Sequence, residues 1–172
     1  LAVSSHAVDD ERLHRITLAE DTMVLVVPLD HPLARRPSVT LDDVAGCQLL
    51  MREPGSVTRR VTEDAFAAAS IEPASTSIIG SREAIYEAVS LGLGCSIVPA
   101  REAPRRPDVR VLPFAGNAPV IHEYLYFLKE RKDARLVRAF LDRLDPQLAH
   151  APEKKADAFI AKVMAMDTAA TR

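Results

Sequence analysis

Continuous apolar runs alternate along the chain with segments that carry apolar residues on one helical face. The run Met23-Val24-Leu25-Val26-Val27 is typical of a strand covered on both faces, as in a parallel sheet. Strands are also predicted over residues 47–51, 76–79 and 95–98, and helices over 41–45, 57–70 and 81–91. Thr40 can cap the first of these helices and Gly46 can end it. The alternation predicts an α/β fold in which residues 20–122 form a mostly parallel sheet of buried strands flanked by helices.

The rest of the chain, from residue 101 onward, has a weaker pattern. Residues 101–108 contain two prolines and are predicted to form a surface loop, whereas 109–113 and 121–129 are strand-like. An amphipathic helix is predicted over residues 133–144. The residues expected to face inward from it are Leu136, Val137, Phe140, Leu141 and Leu144. Residues 148–172 are predicted to be a C-terminal extension.

Charge and composition narrow the classes of function. The chain has 22 Lys+Arg against 24 Asp+Glu and a net charge of -2, without the basic surplus of a DNA-binding domain. We therefore expect no direct DNA contact from these residues. No apolar run approaches the roughly 20 residues that cross a bilayer, so no membrane span is expected.

No residue pattern indicates catalysis, a cofactor or a metal. The histidines lack the spacing of metal ligands, and Gly92-x-Gly94 follows a helix and lacks the third glycine of a dinucleotide fingerprint. Cys47 and Cys95 are interpreted as small buried core residues. The sequence therefore predicts a protein that is not an enzyme and binds no metal or cofactor.

Two predicted helix starts are candidates for an anion site, since each directly follows a strand. They read Gly55-Ser56-Val57-Thr58-Arg59 and Gly80-Ser81-Arg82-Glu83. In a parallel α/β sheet such helix starts gather at one edge, where unpaired backbone N–H groups and the helix dipole favour negative charge. Arg59 or Arg82 can add charge there, and Arg52 or Arg82 can lend charge from the rim. The alternative is that Ser56 and Ser81 only cap their helices.

Four stretches together resemble the effector-binding domain of LysR-type transcriptional regulators. They keep that family's order and spacing over about residues 1–145, and read Asp30-His31-Pro32-Leu33-Ala34, Val39-Thr40-Leu41-Asp42-Asp43-Val44-Ala45-Gly46, Leu49-Leu50-Met51-Arg52-Glu53-Pro54-Gly55-Ser56-Val57-Thr58-Arg59 and Ala88-Val89-Ser90-Leu91-Gly92-Leu93-Gly94-Cys95-Ser96-Ile97-Val98-Pro99. Further segments are similar to the branch associated with 2-aminoethylphosphonate catabolism. They are Val3-Ser4-Ser5, Val8-Asp9-Asp10-x-Arg12-Leu13, Gly80-Ser81-Arg82-Glu83-Ala84 and Glu123-Tyr124-Leu125-Tyr126-x-Leu128-Lys129-Glu130, together with the run Leu50 to Arg59.

The resemblance implies two α/β lobes like those of periplasmic solute-binding proteins, with an effector in the cleft between them. Residues 1–18 and 126–147 would belong to a first lobe that is incomplete in this chain, and residues 20–122 would form the second. The chain opens within a strand-like segment. We expect the family's N-terminal winged helix-turn-helix and most of its first lobe to be absent from it.

The resemblance also implies a function, the ligand-sensing part of a cytoplasmic transcriptional regulator. The expected partner is a small anionic effector such as a phosphonate, held by Ser56, Val57, Thr58, Ser81, Arg82 and Arg52. An acceptor for a phosphonate's amino group is expected from the missing lobe. DNA would be bound only through the missing N-terminal domain, and the complete regulator is expected to be a homo-oligomer.

Two other classes stay open at this point. The chain could be a fragment of a periplasmic-type solute-binding receptor, which a secretion signal upstream would favour, or an enzyme fragment. A winged helix-turn-helix upstream would decide for the regulator.

Overall fold

The computed structural model describes residues 1–148. Its strands are β1 Ala2–Ser4, β2 Leu13–Pro28, β3 Gln48–Met51, β4 Ser75–Ile78, β5 Ser96–Pro99, β6 Val109–Pro113 and β7 Val120–Leu128. Its helices are α1 Leu41–Ala45, α2 Val57–Ala69, α3 Arg82–Ser90 and α4 Arg135–Leu148, with single turns of 3-10 helix at Pro32–Arg35, Ala100–Glu102 and Lys129–Arg131. Each strand and helix predicted above is present; α1 and β6 have the predicted bounds, and the ends of the others are shifted. The extension predicted over residues 148–172 begins at the last residue of α4, and its residues from 149 onward lie outside the described part of the chain.

The chain divides into two compact units. One comprises residues 19–123, and the other comprises residues 1–18 with the part from 124 onward. Strands β2 and β7 each contribute residues to both units. The assignment of residues 1–18 and 126–147 to a first effector lobe, and of 20–122 to a second, stays a prediction.

The sheet of the unit 19–123 is mixed. β3 pairs in parallel with β4 along its length from Gln48 to Met51, and it meets β5 through the parallel bridge Leu49↔Cys95. β2, however, runs antiparallel to both β5 and β6. The prediction of a mostly parallel sheet is therefore wrong for β2. Burial on both faces shows that other elements cover both faces of a strand, and it does not fix the direction of the neighbouring strands.

Alternate side chains of β2 enter two different apolar clusters. Met23, Leu25 and Val27 pack with side chains from α1, α2, β3 and β5, whereas Val24 and Val26 pack with side chains from α3 and from β5. This confirms that β2 is covered on both faces. β4 differs from the expectation of a buried strand, because its residues are exposed throughout. It pairs with β3, and its sequence Ser-Thr-Ser-Ile suits an exposed strand.

The other unit has a smaller described core, formed by Leu125, Phe127 and Val137 with partly buried neighbours. β1 pairs antiparallel with β7. In α4, Val137 is buried, but Leu136 is 74% exposed and Phe140 is 38% exposed. Their predicted inward orientation is therefore wrong. Successive helical residues turn by about 100°, so the face that buries Val137 directs its neighbour Leu136 away from the core.

Leu141 packs partly against that core, as predicted, whereas the Leu144 side chain is not among those that the structure describes.

Within residues 1–148, no helix combines the length and the apolar character needed to cross a bilayer.

Candidate functional site

A concave pocket of about 390 Å³, counting its opening to solvent, lies in the unit 19–123. The ends of β3 and β5 form one side of it, and the first turns of α2 and α3 form the other. Its floor is apolar, with Leu49 and Leu50 from β3, Ile85 from α3 and Ile97 from β5. β3 and β5 are parallel where they meet at Leu49, so their carboxyl ends reach the same edge, as expected for an α/β ligand site.

Two buried hydroxyl groups lie among the apolar residues of the pocket. The Thr62 hydroxyl, on a residue 3% exposed, donates to the Thr58 carbonyl at 2.9 Å. The Ser96 hydroxyl, on a residue 2% exposed, donates to the Leu50 carbonyl at 2.8 Å. Since each hydroxyl hydrogen is taken by a backbone carbonyl, each oxygen offers a ligand only acceptor capacity.

Three arginine side chains line the pocket, and each has a carboxylate partner. Arg52 donates two hydrogen bonds of 2.8 Å to the adjacent Glu53. Arg59 donates to Glu63, one helical turn along α2, at 2.7 Å, and to the Arg52 carbonyl at 3.3 Å. The second contact holds the Arg59 side chain against the backbone of Arg52. Glu53 and Glu63 are not among the residues that line the pocket.

The third arginine, Arg82, is held differently. Its Nη1 lies 2.6 Å from Glu102 Oε2, and Glu102 itself lines the pocket. Glu83, beside it on α3, lies 3.6 Å from the Arg82 Nε. The Tyr86 hydroxyl donates to the Glu102 carbonyl at 2.7 Å. The turn that follows β5 is therefore tied to α3 through both the side chain and the backbone of Glu102.

The ion pairs shift the titration of these groups. The hydrogen bonds from Arg52 lower the pKa of Glu53 to about 2, so Glu53 stays ionised at neutral pH. The pKa of Arg52 is raised, chiefly by Glu53, although the nearby positive charge of Arg82 acts in the opposite direction. Arg52 and Arg82 both line the same pocket. The pKa of Tyr86 is raised, chiefly by burial, so Tyr86 stays a hydrogen-bond donor.

The structure brings half of the predicted site residues into the pocket. Arg52, Thr58 and Arg82 line it. Ser56, Val57 and Ser81 lie at the predicted helix starts but are not among the lining residues. The Ser81 hydroxyl accepts the Ala84 N–H at 3.1 Å, which is the capping role considered above as the alternative. Ser56 occupies the cap position of α2 without a side-chain capping bond.

Four polar lining residues were not predicted: Thr62, Tyr86, Ser96 and Glu102. Two of them had a usable signal, because Thr62 and Tyr86 lie four residues after Thr58 and Arg82 and so share their helix faces. Glu102 and Ser96 had none, since their positions depend on the parallel pairing of β3 with β5. Across the described part of the chain, no group of three or more His, Cys, Asp or Glu is placed to hold a metal ion.

Comparisons with known proteins agree on one protein family. A family model described as the LysR substrate binding domain matches residues 1–149. The HTH-type transcriptional activator CmpR of Synechocystis sp. is 32% identical over 129 residues, which are 73% of this chain and 42% of CmpR. The HTH-type transcriptional regulator CbbR of Xanthobacter flavus is 38% identical over 121 residues, 67% of this chain and 35% of CbbR. The chain thus spans less than half the length of these curated relatives.

Solved structures agree with this family. The effector binding domain of QuiR, in complex with shikimate, aligns with a TM-score of 0.71 and 25% identity over 83% of this chain and 68% of that one. The BenM effector binding domain with benzoate has a TM-score of 0.76 at 17% identity over 86% of this chain and 68% of that one, a likeness of fold. Because the family model covers most of its residues, the chain belongs to the LysR substrate-binding domain family and has the periplasmic-binding-protein-like α/β fold of its effector-binding domains.

Proposed function

We propose that this chain is the ligand-sensing portion of a LysR-type transcriptional regulator and that it binds a small anionic metabolite, such as a phosphonate, whose catabolic genes the complete protein regulates. The observation that carries the proposal is the convergence of Arg52, Arg59 and Arg82 on one pocket with an apolar floor. Each guanidinium group is balanced by a carboxylate, so a negatively charged ligand is favoured by the N–H donors that these side chains bring to the pocket and not by net charge.

The pocket suits recognition of a compact anion. Guanidinium groups present paired N–H donors that match the oxygens of a phosphonate or carboxylate, and the starts of α2 and α3 lie beside them. A ligand oxygen would displace part of the hydrogen bonding between Arg52 and Glu53, so specificity depends on geometry more than on charge alone. The similar QuiR domain was solved with shikimate, a carboxylate, which supports an anionic ligand for this chain as well.

The proposal extends to the complete protein. Its relatives are named as HTH-type transcriptional regulators, which supports a DNA-binding domain outside this chain as the part that contacts DNA. On this proposal the protein acts in the cytoplasm, where the DNA of a bacterial or archaeal cell lies. It acts as a homo-oligomer, because symmetric half-sites are read by symmetric proteins. The pocket binds and carries out no reaction.

The test is a calorimetric titration of the 172-residue chain with 2-aminoethylphosphonate. Arg59→Gln should weaken binding about tenfold, because a charge-assisted hydrogen bond from a partly buried arginine contributes about 1.5 kcal/mol. Arg60→Gln is the matched control. It makes the same change one residue along α2, at an exposed position that does not line the pocket, and should leave affinity unchanged. Equal effects of both variants would show that only the overall charge matters and would refute the pocket.

The helix-start residues need a separate test. Thr58→Val should weaken binding because Thr58 lines the pocket, and Ser56→Ala tests the proposed contact from the start of α2. If both variants keep wild-type affinity and the circular dichroism spectrum of the folded chain, these residues serve only the helix, and the ligand depends on the arginine side chains alone.

A further inference from the structure

Of the described residues that line the pocket, Glu102 alone is acidic. It lies in the 3-10 turn Ala100–Glu102 directly after β5. Three contacts fix this turn. Glu102 Oε2 lies 2.6 Å from Arg82, the Glu102 carbonyl accepts from Tyr86, and the Arg101 N–H donates to Asp21 at 2.9 Å. The carboxylate is thus held in the wall of a pocket that three arginine side chains also line.

The position of Glu102 sets it apart from the other arginine partners. Glu53 and Glu63 pair with Arg52 and Arg59 from outside the lining, so they balance charge without meeting a ligand. The Glu102 side chain is 41% exposed and belongs to the pocket wall. A carboxylate has about four lone-pair sites. The contact between its Oε2 and Arg82 leaves acceptor capacity for a second cation.

We infer that Glu102 binds the ammonium group of the effector, so that the pocket selects zwitterions that carry an amine near their anionic group. This inference rests on the function proposed above and adds the cationic half of the ligand. The arginine side chains take the anionic end, and Glu102 takes the ammonium. The Ser96 and Thr62 oxygens, whose hydrogens are committed to backbone carbonyls, add acceptors to the pocket. On this inference, the acceptor for the amino group lies in the unit 19–123.

The competing explanation is that Glu102 only neutralises Arg82. The two explanations predict opposite signs for a ligand that carries an amine. If Glu102 meets an ammonium, removing its charge weakens a zwitterion but frees Arg82 to bind a plain anion more tightly. If it only neutralises Arg82, removing the charge strengthens both kinds of ligand.

The experiment compares 2-aminoethylphosphonate with propylphosphonate, in which a methyl group replaces the ammonium, by NMR chemical-shift titration of the 172-residue chain. Wild type should prefer 2-aminoethylphosphonate. Glu102→Gln should weaken that ligand about twofold to fivefold, the range for a half-exposed charge pair, and leave propylphosphonate unchanged or bound more tightly. Glu102→Asp, which keeps a carboxylate, should retain part of the preference.

Glu83→Gln is the matched control, because it removes a carboxylate near Arg82 that lies outside the pocket lining. It should shift both ligands in the same direction. Equal binding of the two ligands by wild type, or a shift of both in one direction by Glu102→Gln, would overturn the role of Glu102 while leaving the anion site intact. If neither phosphonate binds wild type, the proposed phosphonate function fails, and this inference fails with it.

Discussion

The close approach of Gly94 to β3 can be tested with the substitution Gly94→Ala, which adds a single methyl group. Gly94 lies just before β5, where the Cys95 N–H donates to the Gln48 carbonyl at 2.9 Å and the Leu50 N–H donates to the Cys95 carbonyl at 2.7 Å. A Cβ atom at position 94 would lie 2.5 Å from the Gln48 backbone oxygen. The same two strands form the floor of the pocket, so the substitution Gly94→Ala acts on both stability and the site.

The magnitude follows from the contact. Real Cβ atoms essentially never approach within 3.0 Å, so a contact of 2.5 Å forces β3 and β5 apart by about 0.5 Å. Overpacking of this kind costs about 1–3 kcal/mol, and weakening two adjacent backbone hydrogen bonds adds about 1 kcal/mol. We therefore expect Gly94→Ala to lower the free energy of unfolding by about 2–4 kcal/mol and to weaken effector binding.

Alanine substitutions at two other glycines distinguish the effect of steric contact on stability from the effect of backbone strain. A Cβ at Gly80 meets nothing within 4 Å, so Gly80→Ala should change stability by less than about 1 kcal/mol. Gly92 also has open space, but its φ is +77°, so Gly92→Ala should cost about 1 kcal/mol from strain alone. Urea unfolding followed by circular dichroism measures all three. If Gly94→Ala destabilises no more than Gly92→Ala, the approach of β5 to β3 is not limiting and the reasoning is refuted.

Three further predictions concern stability and reactivity. Leu25→Ala, at a fully buried position, should cost about 3 kcal/mol in urea unfolding, whereas Leu91→Ala, at a residue 74% exposed, should stay within about 0.5 kcal/mol of wild type. Thr40→Ala removes the capping box of α1 and should cost about 1 kcal/mol, and no loss would contradict that role. Burial raises the pKa of the Cys95 thiol, so mass spectrometry should show iodoacetamide modifying the partly exposed Cys47 first, and equal rates would contradict the structure.

The sequence predicted correctly the features of the fold that depend on residues close together in the chain. The capping box at α1 is an example, since the Thr40 hydroxyl and the Asp43 carboxylate each accept the other's backbone N–H. The helix begins and ends where Thr40 and Gly46 predict. Strand direction is decided by distant partners instead. The apolar run of β2 predicted burial on both faces and was right about it, but it carried no information that β5 and β6 run antiparallel to it.

The residues of the candidate site fall into the same two groups, those placed by local sequence and those placed by distant strand pairing. Arg52, Thr58 and Arg82 could be predicted because each lies near a strand end or helix start that the local pattern reveals, and a pattern of that kind indicates an anion. Glu102 lies 50 residues after Arg52 in the chain, and only the parallel bridge between β3 and β5 places both at one edge. The anionic half of the ligand is therefore indicated by local sequence, whereas its proposed cationic half follows from tertiary structure. On this proposal, the preference of this chain for an amine can change at the turn 100–102, while the arginine side chains proposed to bind the anion stay the same.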